Sequence, residues 1–102
     1  MSLKLSGKLM ETVIINSRIK KKNKTELYQT LESLTPLIKA NCQDFELKIN
    51  PDDTLFMEIT FDSRESFENN FYQSEFVILK GTLKSLCDNV RIKVNDSLVN
   101  NS

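Results

Sequence analysis

The chain has 102 residues, the usual size of one domain. Hydrophobic residues make up 39% and charged residues 27%, which is enough apolar material for one core and excludes a disordered chain. Fourteen basic side chains balance fourteen acidic ones, so net charge draws the protein neither to nucleic acid nor to an anionic membrane.

Other absences narrow the chemistry. There is no His, which removes the commonest general base and metal ligand and any Ser-His or Cys-His nucleophile pair. Two glycines exclude a Gly-rich phosphate loop. Two cysteines, Cys42 and Cys87, are too few for a disulfide framework or, without His, for a structural zinc site; both read as inert, buried thiols. No window approaches the roughly 20 apolar residues of a membrane span, and the first residues carry no signal-peptide run. The expectation is a protein of the cytoplasm with no metal. Residues 1–9 read as an N-terminal extension, 10–96 as the domain and 97–102 as a polar tail that frays.

Taken in chain order, Thr12 to Lys20 is rich in β-branched residues and predicts a strand, with Val13, Ile15, Ser17 and Ile19 on one face and Ile14, Asn16 and Arg18 on the other. The run Lys20 to Lys24 predicts a turn, with Asn23 in the left-handed region. The basic cluster from Arg18 to Lys24 reads as a solvated strand end rather than an RNA contact, since no aromatic residues interleave it. Leu27, Leu31, Leu34 and Ile38 form one stripe of a helix over 24–40. Pro36 falls inside that helix and predicts a kink or a restart. Asn41 predicts a left-handed C-terminal cap.

Strict alternation of Phe45, Leu47 and Ile49 with charged residues predicts a half-buried strand. Asn50-Pro51-Asp52-Asp53 predicts a turn, and Thr54 to Phe61 predicts the antiparallel partner strand, with Leu55, Met57, Ile59 and Phe61 on one face. Asp62 or Ser63 caps the next helix. Its apolar pattern runs through Phe67, Phe71, Phe76, Leu79, Leu83 and Leu86. Tyr72-Gln73-Ser74 interrupts it, and Ser74 caps a second segment. Gly81 inside that segment costs about 1 kcal/mol against Ala, a cost explained by the close approach of a ligand or a strand. Val90 to Val94 predicts the last strand.

The order βαββαβ predicts an α+β ferredoxin-like sandwich: a four-stranded antiparallel sheet with both helices on one face. The other face, with Ile14 and Phe56, is expected to be apolar and to meet a second copy, which makes the protein a homodimer through the sheet face.

The run Asn41-Cys42-Gln43-Asp44-Phe45-Glu46-Leu47 resembles the Gly-Cys-x-x-Tyr-x-Leu pattern of the antibiotic biosynthesis monooxygenase family. The run from Glu58 to Phe76 resembles that family's acidic-x-Trp strand end followed by Ala-Phe-x-x-His-x-x-Ser-x-His-Phe. Asn70 and Glu75 stand where the family carries its two His, and Phe61 where Trp is common. The resemblance covers residues 12–95 and implies a dimeric α+β barrel. It also implies cofactor-independent oxidation of a small aromatic or polyketide-type compound, in an apolar pocket between sheet and helices. That chemistry needs no metal or flavin: the substrate, deprotonated to an electron-rich anion, reacts with oxygen itself. Some relatives degrade haem with a helix His, whose position falls at Lys80 or its neighbours, and carry a first-strand Asn that falls on Asn16.

The expected catalytic groups are Asn16, Asn70 and Tyr72, polar side chains that would stabilise the anion. Phe61 and Phe71 are the expected pocket walls. Glu58 is a proton acceptor if buried, and otherwise an ion-pair partner of Arg18 or Arg91. The alternative reading is a non-catalytic dimeric protein of the same fold that binds a small molecule or haem.

Overall fold

The computed structural model describes residues 10–95 and 97–98. The extension expected over 1–9 and the tail from residue 99 lie outside the described residues.

Strand β1 (Glu11–Ile19) is central. It is rich in β-branched residues and buries Val13, Ile15 and Ile19 on one face, so both of its neighbours pack against a stiff, apolar strand. A short 3-10 turn, Lys21–Asn23, leads into helix α1 (Lys24–Ala40). Leu27, Leu31, Leu34 and Ile38 are its buried residues, as their spacing predicts.

Two expectations about this segment are corrected. Asn23 has φ −107° and Asn41 has φ −120°, so neither is left-handed. Asn41 instead ends the helix through its amide, which donates to Leu37 O at 3.0 Å and to Glu75 Oε2 at 2.6 Å. Pro36 does not restart α1, which runs through it as one helix. It lies on the solvent face beside Glu32, whose carbonyl loses its amide partner where water can replace it. Thr35 Oγ1 donates to Leu31 O at 2.7 Å one turn below.

Strand β2 (Asp44–Ile49) and strand β3 (Thr54–Phe61) form the predicted antiparallel hairpin. Its turn uses the Asx chemistry expected of it: Asp52 Oδ1 accepts from Thr54 N at 3.2 Å and Thr54 Oγ1 at 2.6 Å. These bonds hold the Asp52 carboxyl below its ordinary value. Asp53 takes the left-handed position, φ 69°, and receives the Lys24 ammonium at 2.8 Å.

Ser63 opens helix α2 (Arg64–Asn70), its Oγ accepting from Ser66 N at 3.0 Å. Helix α3 (Ser74–Leu86) follows the predicted break. Ser74 does not cap it by side chain; it is the first helical residue, with φ 44°, and the preceding Gln73 makes no side-chain cap either. Strand β4 (Cys87–Val94) begins at Cys87, three residues earlier than expected. It carries a bulge opposite Asn16 to Arg18, with Asn89 at φ 56°.

The tail is not wholly frayed. A fifth strand, β5 (Ser97–Leu98), pairs with the end of β4. Asn95 anchors the turn before it: its Oδ1 accepts from Thr12 N at 2.9 Å and its Nδ2 donates to the buried Glu11 carboxylate at 2.8 Å.

The sheet runs β2-β3-β1-β4-β5, antiparallel throughout, with the helices on one face. This is the ferredoxin-like α+β fold with a short added edge strand. Its outer face differs from expectation. Cross-strand register lines up Glu46, Glu58, Ile14 and Lys93 in one row, and Lys48, Phe56, Asn16 and Arg91 in the next. Ile14 and Phe56 are half-buried islands in a charged surface. Alternation hides the apolar set of every strand under the helices, which leaves the charged set outside.

Candidate functional site

Four phenylalanines fill the space between the sheet and the two C-terminal helices. Phe61 is fully buried at the end of β3, with its ring centroid 5.6 Å from Phe67, 6.4 Å from Phe71 and 5.6 Å from Phe76. These distances are those of edge-to-face and tilted aromatic packing. The expected pocket walls Phe61 and Phe71 are therefore mutual core partners.

The aromatic cluster reaches the surface at Tyr72, in the break between α2 and α3. Its ring packs edge-on against Phe67 at 5.8 Å and Phe71 at 5.3 Å, yet the residue is 52% exposed. Lys80, two turns into α3, lays its ammonium over both rings, 4.2 Å from the Phe71 centroid and 4.5 Å from that of Tyr72. A cation held over two ring faces is attracted by their quadrupoles. Burial pushes the Lys80 ammonium below the usual lysine range, and the charge of Lys84 one turn on pushes the same way. Neither Lys80 nor Lys84 forms an ion pair among the described residues.

Tyr72, Val77, Lys80, Gly81 and Lys84 line a hollow of about 330 Å³ on the outside of α3. Gly81 is its floor. A Cβ built there would meet nothing within 4 Å, and the backbone is not in the left-handed region. No strand approaches Gly81, so close packing against a strand does not account for the glycine. Chemically, the hollow offers an aromatic wall, an aliphatic wall from Val77 and two uncompensated ammonium groups. That combination suits a flat, anionic molecule.

The residues predicted as a site do not all meet. Tyr72 and Phe71 come together, joined by Lys80. Asn70 is nearby in sequence but faces another way: its amide donates to Ser66 O at 2.8 Å, beside a polar hollow with Asn41, Cys42, Gln43 and Asp62. Asn16 and Glu58 lie on the outer sheet face, across the sheet from the helices. Asn16 is exposed, flanked in register by Phe56 and Arg91. The register partners of Glu58 are Ile14 and Glu46, and it makes no ion pair with Arg18 or Arg91 among the described residues. Sequence reasoning underweighted Lys80. The signal that finds it is a lysine beside a helix-interior glycine, two turns after an aromatic cluster.

A second concavity, of about 500 Å³, lies between α1 and β2. Tyr28, Leu31, Glu32, Thr35, Leu47 and Ile49 line it. Nothing in the sequence pattern singled it out, because its residues come from two elements that are separately unremarkable. Of the two thiols expected to be buried, Cys87 is buried but Cys42 is only half-buried; burial raises both above the ordinary thiol value.

Fold and site together define a small ferredoxin-like α+β protein with a cationic, aromatic-walled hollow. The fold is that of the antibiotic-biosynthesis-monooxygenase-like proteins. A conserved protein of Methanosarcina mazei is 16% identical, over 87% of this chain and 93% of that one, with a TM-score of 0.74. A Caulobacter crescentus protein described as a candidate antibiotic biosynthesis monooxygenase is 12% identical, over 91% of this chain and 93% of that one, with a TM-score of 0.74. One from Nitrosomonas europaea, described in the same way, is 8% identical over 98% of this chain and all of its own length, with a TM-score of 0.72. At such identities the likeness is one of fold. No protein-family model matches the chain, and no curated protein matches it. No helix among the described residues is long and apolar enough to cross a membrane.

Proposed function

We propose that the protein binds a small acidic aromatic compound, a phenol or enol of polyketide type, at the α3 hollow, and oxidises it without a cofactor. The observation that carries this reading is Lys80: an ammonium without an acidic partner among the described residues, held over two aromatic rings at the edge of an apolar hollow. Lys80 is the group that answers the missing His. As the ammonium that sits over the rings, Lys80 pairs with the substrate anion and so lowers the pKa of the substrate hydroxyl, whose proton passes to solvent water. Tyr72 stacks on the substrate ring. The substrate anion reduces dioxygen: at an activated ring methylene, one oxygen atom enters as a carbonyl and the other leaves with the two hydrogens as water.

The test is oxygen uptake with a dihydroxyanthracene-type phenol, beside direct binding of the same compound. Lys80→Gln should abolish both. Lys80→Arg should keep part of both, since a guanidinium also pairs with an anion. Oxygen uptake that survives Lys80→Gln refutes the assignment.

The second reading is a non-catalytic binder using the same hollow. The placement of Asn16 and Asn70 favours it, because neither amide reaches the hollow to share the work of stabilising an anion. Binding lost in Lys80→Gln, with no oxygen uptake by the native protein, selects this reading.

A homodimer through the outer sheet face belongs to both readings. Its support is the half-buried pair Ile14 and Phe56, with Glu46, Glu58 and one base, Lys48, to one side and Lys93 and Arg91 to the other. A two-fold axis through such a face sets acids against bases. Phe56→Asp should dissociate it on a sizing column.

A further inference from the structure

The concavity between α1 and β2 has no part in either reading above. Tyr28, Leu31, Glu32 and Thr35, spaced three and four apart, stand on one flank of α1. They face Leu47 and Ile49 of β2 across a groove of about 500 Å³, a volume within the range of small-molecule sites. Leu31 is buried, and Leu47 and Ile49 are half-buried, so the groove has an apolar floor. Tyr28 and Glu32 are exposed at its rim.

Apart from the Tyr28 hydroxyl, which both donates and accepts, the polar groups on this flank only accept. The Thr35 hydroxyl spends its one hydrogen on Leu31 O at 2.7 Å, which leaves its lone pairs. Pro36 has no N–H to offer the Glu32 carbonyl one turn below. The Glu32 carboxylate forms no ion pair among the described residues. The sequence shows why. The residues three and four places from Glu32 along the helix are Tyr28, Gln29, Thr35 and Pro36, none of them basic. Lys24 is held by Asp53 at 2.8 Å, and Lys39 stands about two turns further on. Lys48 of β2 belongs to the opposite face of the sheet, since it alternates with Leu47 and Ile49.

We infer that the α1–β2 groove binds a small apolar amine. Its ammonium donates to the Glu32 carboxylate and to Thr35 Oγ1 and rests on the Tyr28 ring, whose face attracts a cation. Its hydrocarbon part covers Leu31, Leu47 and Ile49. An ammonium is the one common head group with three donors and no acceptor, which is the complement of this rim. The groove is therefore opposite in sign to the α3 hollow, where two ammonium groups await an anion. The two sites sort ligands by charge, and neither depends on the other.

The probe is phenethylamine, compared with phenethyl alcohol and hydrocinnamate, which carry the same ring on a neutral and an anionic head. Titration of the full chain, followed by amide NMR shifts, should move Leu47 and Ile49. The amine should bind about tenfold more tightly than the alcohol, and the acid most weakly. Glu32→Gln, at an exposed position, should lower amine affinity about fivefold and leave that of the alcohol unchanged, a difference that a loss of folding cannot mimic. Tyr28→Leu, which keeps an apolar wall and removes the ring face, should narrow the advantage of the amine as well. Lys80→Gln should leave amine binding as it is in the native chain. The inference is overturned by an amine that does not bind, that binds no tighter than the alcohol, or that keeps its affinity in Glu32→Gln. Shifts at Tyr72 and Gly81 in place of β2, or amine binding lost in Lys80→Gln, overturn it too.

Discussion

Replacing Gly81 by alanine sets stability against binding. Glycine in a helix interior costs about 1 kcal/mol relative to alanine, because it loses more backbone freedom on folding. That gain is normally offset when the new Cβ collides, but here it meets nothing within 4 Å and the backbone is not left-handed. The full gain should therefore appear. The entropy of unfolding is about 2 cal/mol/K per residue, or roughly 0.2 kcal/mol/K for a chain of this length. One kcal/mol then raises Tm by about 5 °C. The new methyl group projects into the hollow where the ligand's ring would lie, so affinity for a flat phenol should fall at least tenfold, by loss of close contact and by steric exclusion. Thermal melts followed by circular dichroism read the first effect, and titration of the same protein reads the second. A variant that melts lower than the native chain refutes the claim that Gly81 faces open space. A stabilised variant with unchanged affinity refutes the claim that the hollow is the binding site.

Binding of an aryl sulfonate, anionic at every working pH, should weaken as pH rises through the lowered pKa of Lys80, short of its ordinary value of 10.5; an isothermal titration series that is flat over that range, or unchanged in Lys80→Gln, contradicts this. For stability the sign is opposite: between the lowered pKa and 10.5 the native state holds fewer protons than the unfolded one, so this group makes stability rise with pH. Phe61→Ala, at the centre of the aromatic cluster and fully buried, should cost about 3–5 kcal/mol, and Phe61→Leu distinctly less; urea midpoints compare them, and equal losses would refute the cavity argument, since the volume that Leu restores would then contribute nothing. Ser63→Ala removes the acceptor for Ser66 N–H and should cost about 1 kcal/mol in the same assay, with Ser63→Gly costing only a few tenths.

How much of this was legible in the sequence varies by element. Helix α1 was readable because four leucine and isoleucine positions at helical spacing leave one solution for burial. The 50–53 turn was readable because Pro and three Asx residues each act locally. The left-handed positions were not. Asn23 and Asn41 are as suited to positive φ as any non-glycine residue, yet that conformation falls to Asp53, Ser74, Asn89 and Asn95. Asn tolerates positive φ without requiring it, and where the chain needs it depends on how strands and helices join. Whether Pro36 would restart the helix was not legible for a related reason: its cost depends on whether the orphaned carbonyl faces water, which is a property of the packed helix.

The site was legible only in fragments. Tyr72 and Phe71 lie together at the α3 hollow, whereas Asn16 and Glu58 lie on the opposite face of the sheet. Alternation assigns residues of one strand to two faces without saying which face carries the helices. Burial decided that for Asn16, since its neighbours Ile15 and Val13 took the inner side.

What the sequence determined by itself is therefore the set of elements, their order and the apolar face of each, because periodicity and local turn chemistry act within a few residues of chain. What only tertiary structure decided is which charged and aromatic side chains become neighbours. Lys80 over Phe71 and Tyr72, and Glu46 beside Glu58, both arise from contacts between separate segments. Their energies depend on burial and distance, and neither exists until the sheet and helices have packed.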